Sequence, residues 1–282
     1  MARVLERRRE ARESAASRVE RWSFNAVFGA LGVLAAMLLA APTVIVLITS
    51  LTSAHSLRFP PLGYSLRWYE ALWHDSPEIV DAALRSLEVA ALAVAVSTVL
   101  GVAAALALAR RRTAWARILD SIFMSPLMLP TLALGLALLM LFNLSQQPLS
   151  MITLVIGHVA ITAPYIVRTT SASLAQLDPV LLESAKSLGA GPWFAFRTVT
   201  LPLVARGIGA GAFIAFMASF DNVAISLFLS DARSEMLPIR LWHIIESNLD
   251  VRAAAASGVL IFATVLLMVI MERAAGISRH LR

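Results

Sequence analysis

Cysteine is absent from this chain of 282 residues, which excludes a disulfide framework and any cysteine-based metal site. Lysine is nearly absent: of 24 basic residues only Lys186 is not arginine. A nucleotide-binding P-loop needs Gly-Lys followed by Ser or Thr, so that the lysine reaches the phosphates. Ala185 precedes Lys186, so the chain carries no such loop, and any ATP chemistry belongs to a partner. Histidines are few and scattered (His55, His74, His158, His243, His280), with no H-E-x-x-H spacing. No motif supports an intramembrane hydrolase, including a rhomboid-like Ser–His pair. Catalytic residues and metal ligands are therefore expected to be none. Charge is scarce as well, at 15% of residues against about 25% in soluble domains.

What is abundant is hydrocarbon. The chain is 59% hydrophobic with a mean hydropathy of +0.76, the composition of an integral membrane protein. A hydrocarbon core about 30 Å thick needs roughly 20 apolar helical residues to cross it. Six stretches qualify, at about 24–51, 84–109, 119–142, 151–171, 203–229 and 253–272. Barrel strands would be shorter and alternate in polarity, so the expectation is an all-α protein. Three regions follow: a tail or helix at 1–23, a six-span domain at 24–273, and a tail at 274–282.

The arginines set the orientation. Eighteen basic residues fall on one side: seven in the N-terminal tail, then Arg110, Arg111, Arg112 and Arg117, then Arg168, Lys186, Arg197 and Arg206, then Arg273, Arg279 and Arg282. Five fall on the other (Arg58, Arg67, Arg233, Arg240, Arg252), and Arg85 lies at a membrane edge. Both termini and the 172–202 loop are thus expected in the cytoplasm. The net charge of +6 is a topology signal, not a nucleic-acid patch. The first apolar run far exceeds the 7–15 residues of a cleavable signal core, and reads as an uncleaved anchor. The tail before it mixes Arg and Glu at helical spacing, which suits a solvated or membrane-surface helix; a partner site is the other reading.

Two outer loops hold short amphipathic pieces, "SLRWYEALW" within 52–83 and "MLPIRLWHII" within 230–252; the sequence does not choose which meets an external partner. Pro42, Pro126, Pro130 and Pro164 fall inside spans, as packing shape or as kinks along a pathway. Gly207 and Gly211, with three residues between them, suit close helix packing rather than a nucleotide loop.

The 172–202 loop is the most ordered polar segment. Asp178 followed by Pro179 is a helix start, and Gly189 marks its end. Gly191-Pro192 begins a second short helix with Trp193, Phe194 and Phe196. Helices this short are not stable alone in water and must pack on span ends or on a docking subunit.

These residues carry a resemblance. Glu183-Ser184-Ala185, three residues, Gly189, nine residues, Val199, one residue, Leu201-Pro202 is similar to the E-A-A-x3-G-x9-I-x-L-P motif of ABC importer permeases, with Ser184 and Val199 as small departures. "SFDNVAISLFLSD" at 219–231 and "MLPIRLWHII" at 236–245 resemble the spermidine/putrescine permease subfamily, especially its C-type subunit. The likeness runs from about residue 24 to 273. It implies a type I importer permease fold in the bacterial inner membrane. In that family the loop is a coupling helix seated in an ATPase cleft, which implies ATPase coupling for Glu183, Ser184, Ala185, Gly189, Leu201 and Pro202. The implied partners are an ATP-binding subunit dimer carrying ATP and Mg, a second six-span permease that is a different chain, and an external substrate-binding protein. The chain itself holds no cofactor. The implied cargo is a polyamine; iron, thiamine, phosphonates and opines are alternatives. A secondary transporter is a rival class, but its repeats and midplane charges are not evident and it leaves the motif unexplained.

Asp221 lies within the fifth apolar stretch, about eight residues from its outer end. A carboxylate there is costly unless paired or facing water. It is the best candidate for a substrate-path residue, and Ser219, Phe220 and Asn222 are candidates beside it. A polyamine would suit the carboxylate. Hydrogen bonding to a neighbouring helix, or pairing with a partner's arginine, are the other readings.

Overall fold

The computed structural model describes residues 2–109, 113–231 and 234–275, with side chains described from Trp22 to Arg273 except at Asn248. Arg110, Arg111, Arg112, Arg233, the N-terminal tail's side chains and the tail from residue 276 lie outside the described residues, and with them several of the orientation-setting arginines.

Twelve helices are described: α1 (Ala2–Ser50), α2 (Arg67–His74), α3 (Pro77–Ala109), α4 (Ala114–Met128), α5 (Thr131–Leu144), α6 (Met151–Ala175), α7 (Pro179–Ser187), α8 (Pro192–Ala195), α9 (Leu201–Phe220), α10 (Val223–Leu229), α11 (Leu237–Asn248) and α12 (Val251–Ala275). Only isolated bridges, Thr52 with Tyr64 and Ser56 with Asp250, represent extended pairing among the described residues. Five segments are long and apolar enough to cross a membrane: Trp22–Ser50, Pro77–Ala109, Met151–Ala175, Pro192–Phe220 and Val251–Arg273. The pair α4 and α5 passes the same test together and makes a sixth if the bent pair is counted as one span.

Three of these differ from the expected stretches. The second starts at Pro77 rather than 84, because Ile79, Ala82 and Ser86 keep one helix face buried although Glu78, Asp81 and Arg85 lower the hydropathy. The third is bent by 108° between α4 and α5. Leu129 is extended (φ −86°, ψ 142°), as the residue before a proline prefers, and Pro130 then caps α5. One turn earlier Pro126 cannot bond the Ile122 carbonyl; the Ser125 hydroxyl donates to it instead, at 2.8 Å. The fifth does not run to 229. It stops at Phe220, and α10 starts afresh at Val223.

The core forms where α3, α6 and α9 pack together. Gly207 and Gly211 sit where α9 meets α6: a Cβ on either would collide with Ser173 or Thr169. α10 is seated between α5 and α6, with Gly135 against Phe228 and Gly157 against Ile225 and Leu229. Leu154, Ile161, Ile225, Leu229 and Met236 make the central apolar cluster there.

A second apolar cluster, Leu72, Ile79, Leu237 and Ala255 with Tyr69 and Phe220 against it, joins α2, α3, α11 and α12 on the outer side. Above it Arg252 pairs with Asp250 (2.8 Å) and Glu78 (3.7 Å), and Arg240 with Glu235 (3.4 Å) and Glu78 (3.8 Å). These pairs tie the outer ends of α3, α11 and α12. By contrast α1 is exposed at every position from 22 to 40, a face suited to lipid or a partner helix.

Candidate functional site

The 172–202 loop is built from local signals. Asp178 accepts a hydrogen bond from the Val180 amide at 2.9 Å, and Pro179 fills the first helical position, where no N–H is needed. α7 then runs nine residues. Gly189, at φ +82°, ends it in the left-handed region that penalises a side chain. The Ala190 amide returns to the Ala185 carbonyl at 3.0 Å, closing the last turn.

None of the residues of α7 is buried. Glu183 and Ser184 are exposed, and Ala185 is half-buried. Leu188 is 88% exposed, Trp193 70% and Phe194 62%. Large apolar side chains presented this openly need a covering surface, which at the end of a span is a partner or the membrane interface.

The expected second short helix is continuous with the fifth span. α8 passes into α9 through a π turn, Phe196–Thr200. Pro202 lacks an N–H for the Thr198 carbonyl and its ring crowds that oxygen, and the wider turn makes room. Leu201 is half-buried and Pro202 exposed at this junction. The part of the loop from Pro192 on is thus continuous with α9, whose far end carries the other candidate residues.

Those residues surround a chain break. Asp221 caps the end of α9 through its backbone, and its side chain is exposed with no hydrogen-bond or ion-pair partner among the described residues. Asn222 turns the chain: its Oδ1 accepts from the Ile225 amide at 2.7 Å and caps α10. Phe220 stacks on Phe216 at 5.7 Å between centroids. Both line an apolar groove of about 780 Å³ between α3, α9 and α12. Ser219 points the other way, into the core, and is fully buried. The four candidates therefore share a break in the chain but not one surface.

Ser219 belongs to a buried polar cluster. His158, on α6 and fully buried, is hydrogen-bonded to Ser219 (Nδ1 to Oγ, 2.8 Å) and to Ser226 (Nε2 to Oγ, 3.3 Å). Ser226 donates to the Asn222 carbonyl at 2.6 Å. One turn along α6, Thr162 donates to the His158 carbonyl at 2.8 Å and is bonded to Ser97 of α3 at 2.6 Å. In the sequence His158 is one of five scattered histidines, and nothing there singles out Ser226. The signal available was a histidine inside an apolar span.

Comparison with known proteins agrees with this architecture. The family described as "Binding-protein-dependent transport system inner membrane component" matches residues 97–279. Spermidine/putrescine transport system permease protein PotC of Haemophilus influenzae is 28% identical over 229 residues, 81% of this chain and 89% of that protein. Putrescine transport system permease protein PotI of Escherichia coli K12 is 30% identical over 195 residues, 67% of this chain and 69% of that protein. Putative 2-aminoethylphosphonate transport system permease protein PhnV of Salmonella typhimurium is 28% identical over 238 residues, 83% of this chain and 88% of that protein. Among solved structures, a chain of a bacterial ABC transporter importing alginate superposes with a TM-score of 0.63 at 12% identity, covering 89% of this chain and 96% of that one. A chain of the inward-facing MetNI methionine ABC transporter gives 0.59 at 16% identity, covering 70% and 94%. Fold, loop and sequence converge: the chain belongs to the family of binding-protein-dependent transport system inner membrane components, the permease subunits of ABC transporters, and is a transport component rather than an enzyme.

Proposed function

We propose that this chain forms half of the translocation path of a bacterial inner-membrane importer and couples it, through the 172–202 loop, to a separate ATP-binding subunit. The observation that carries the coupling is α7 itself. A nine-residue helix with no buried side chain has little reason to persist unless a partner receives it. Exposed Leu188, Trp193 and Phe194 supply the apolar contact, and Glu183 lies on the exposed surface of the same loop.

In this reading a dimer of ATPase subunits binds ATP and Mg. A second six-span permease, a different chain, completes the path, and an external binding protein delivers cargo. Closure of the ATPase dimer displaces α7. The π turn and α9 carry that displacement as a rigid body towards the break at Asp221. Alternating access follows, with Asp221 presented to the path.

The cargo best supported is a polyamine. Relatives over most of the chain are named for spermidine and putrescine, and the exposed, unpaired Asp221 carboxylate suits a polycation. The match to a protein named for 2-aminoethylphosphonate transport favours a second reading, an amino-phosphonate. Iron, thiamine and opines complete the panel. Uptake into vesicles holding the assembled transporter separates them: spermidine or putrescine should drive transport and the phosphonate should not. Transport of the phosphonate alone would overturn the polyamine reading.

A further inference from the structure

The hydrogen-bond chain around His158 has one consistent direction. Ser226 has a single hydroxyl proton, and the 2.6 Å bond to the Asn222 carbonyl uses it. Ser226 Oγ is therefore an acceptor toward His158, so the imidazole proton sits on Nε2. Nδ1 is then the acceptor, and Ser219 donates to it at 2.8 Å. The same logic holds one turn away. Thr162 gives its proton to the His158 carbonyl, so Ser97 donates to Thr162. Each ring nitrogen of a fully buried histidine is used, and each in one role.

The two partners of the ring flank the break in the fifth span. Ser219 closes α9 two residues before Asp221, and Ser226 lies in the first turn of α10. Through Ser226 the ring also reaches the carbonyl of Asn222, the turning residue itself. Two helix ends that apolar packing already seats against α6 are also bridged by one planar ring standing on α6. α6 is anchored in turn to α3 by the Ser97–Thr162 bond.

We infer that His158 is a positioning residue: as the neutral Nε2–H tautomer it clips the end of α9 to the start of α10 and so fixes where the intervening Asp221 carboxylate is presented. It touches no cargo and acts through the backbone of the break. The functional part of this inference rests on the reading of Asp221 as a path residue; the clip does not.

The test uses the assembled transporter in lipid nanodiscs. His158→Leu removes both bonds, and His158→Gln keeps a donor and an acceptor on one planar group. Because the chain has no cysteine, Asp221→Cys places a single reporter thiol at the break, read on this chain by mass spectrometry. Its rate of alkylation should change at least about fivefold, the scale of one net hydrogen bond, in the His158→Leu background and return towards the starting rate with His158→Gln. Imidazole nitrogen NMR should show the Nε2–H tautomer. Equal alkylation rates in the two backgrounds, or the Nδ1–H tautomer, would overturn the clip. With spermidine and putrescine as probes, His158→Leu should raise the apparent KM of stimulated ATP hydrolysis with little change in the maximal rate. An unchanged KM for Asp221→Asn would sink the path reading alone, while alkylation and tautomer still decide the clip. If His158→Leu does not assemble, Ser219→Ala with Ser226→Ala removes the same bonds and keeps the ring's volume. The same shift in alkylation rate is then expected, and its absence overturns the proposal.

Discussion

At the residue scale the informative positions are those whose environment contradicts their chemistry. Asp221 is a carboxylate at the end of a span, exposed and without a partner among the described residues, which a lipid contact would not tolerate. Asp221→Asn should lower polyamine uptake about tenfold or more, the scale of losing a charge-assisted bond, with assembly and basal ATP hydrolysis unchanged. Normal uptake kinetics in reconstituted vesicles would remove it from the path. Gly211 is a different case. Any side chain there meets Thr169 of α6. Gly211→Leu should cost about 1–3 kcal/mol by overpacking, seen as a lower midpoint of thermal unfolding in detergent. Asp221 and Gly211 were both visible in the sequence, one as a charge in an apolar run and the other as paired glycines. His158 was visible too, but its partners were not. Ser219 and Ser226 lie 61 and 68 residues away, and only folding brings them to the ring.

Elements divide by what makes them. Those coded by local chemistry were legible: α7 has its Asp178-Pro179 start and Gly189 end within twelve consecutive residues, and α2 and α11 announced themselves as amphipathic pieces. The two breaks were not. Residues 119–142 and 203–229 stay apolar through Leu129-Pro130 and Asp221-Asn222, so hydropathy sums over both as single spans. What breaks them is a proline that extends its neighbour and an asparagine that caps a new helix, and neither lowers the average enough to end the apolar window. The coupling loop makes the sharpest prediction at this scale. Gly189→Asp forces a side chain into the left-handed region, where the cost is about 1–2 kcal/mol although the space around it is open. Glu183→Ala leaves the helix intact and alters only its surface. Both should weaken retention of the ATPase subunit on affinity purification, with the permease still folded. Retention at the wild-type level for both would contradict the docking reading.

For the whole molecule, the proposed coupling asks the fifth span to serve two ends. The exposed apolar loop at one end is continuous, through the π turn at Phe196–Thr200, with the helix that ends at Asp221. The ion pairs of Glu78, Arg240 and Arg252 hold the outer ends of α3, α11 and α12 over it. Each of these pairs is partly solvated and worth about 1 kcal/mol or less. Glu78→Gln should therefore lower stability only slightly, by a degree or two in thermal unfolding, while any larger change would show that the cap is held by those pairs rather than by the apolar cluster beneath. The exposed length of α1 and the apolar groove between α3, α9 and α12 show that a single chain leaves much surface to be covered.

The central question is whether cargo outside is felt by the ATPase through the 172–202 loop. The measurement is ATP hydrolysis by the assembled transporter in nanodiscs, with and without its binding protein loaded with spermidine, for the wild-type chain and for Gly189→Asp. The prediction is a clear rise in hydrolysis for the wild type and little or none for the variant, with the permease pair intact in both. Equal stimulation in the two, or no ATPase subunit bound to the wild-type chain, would contradict it.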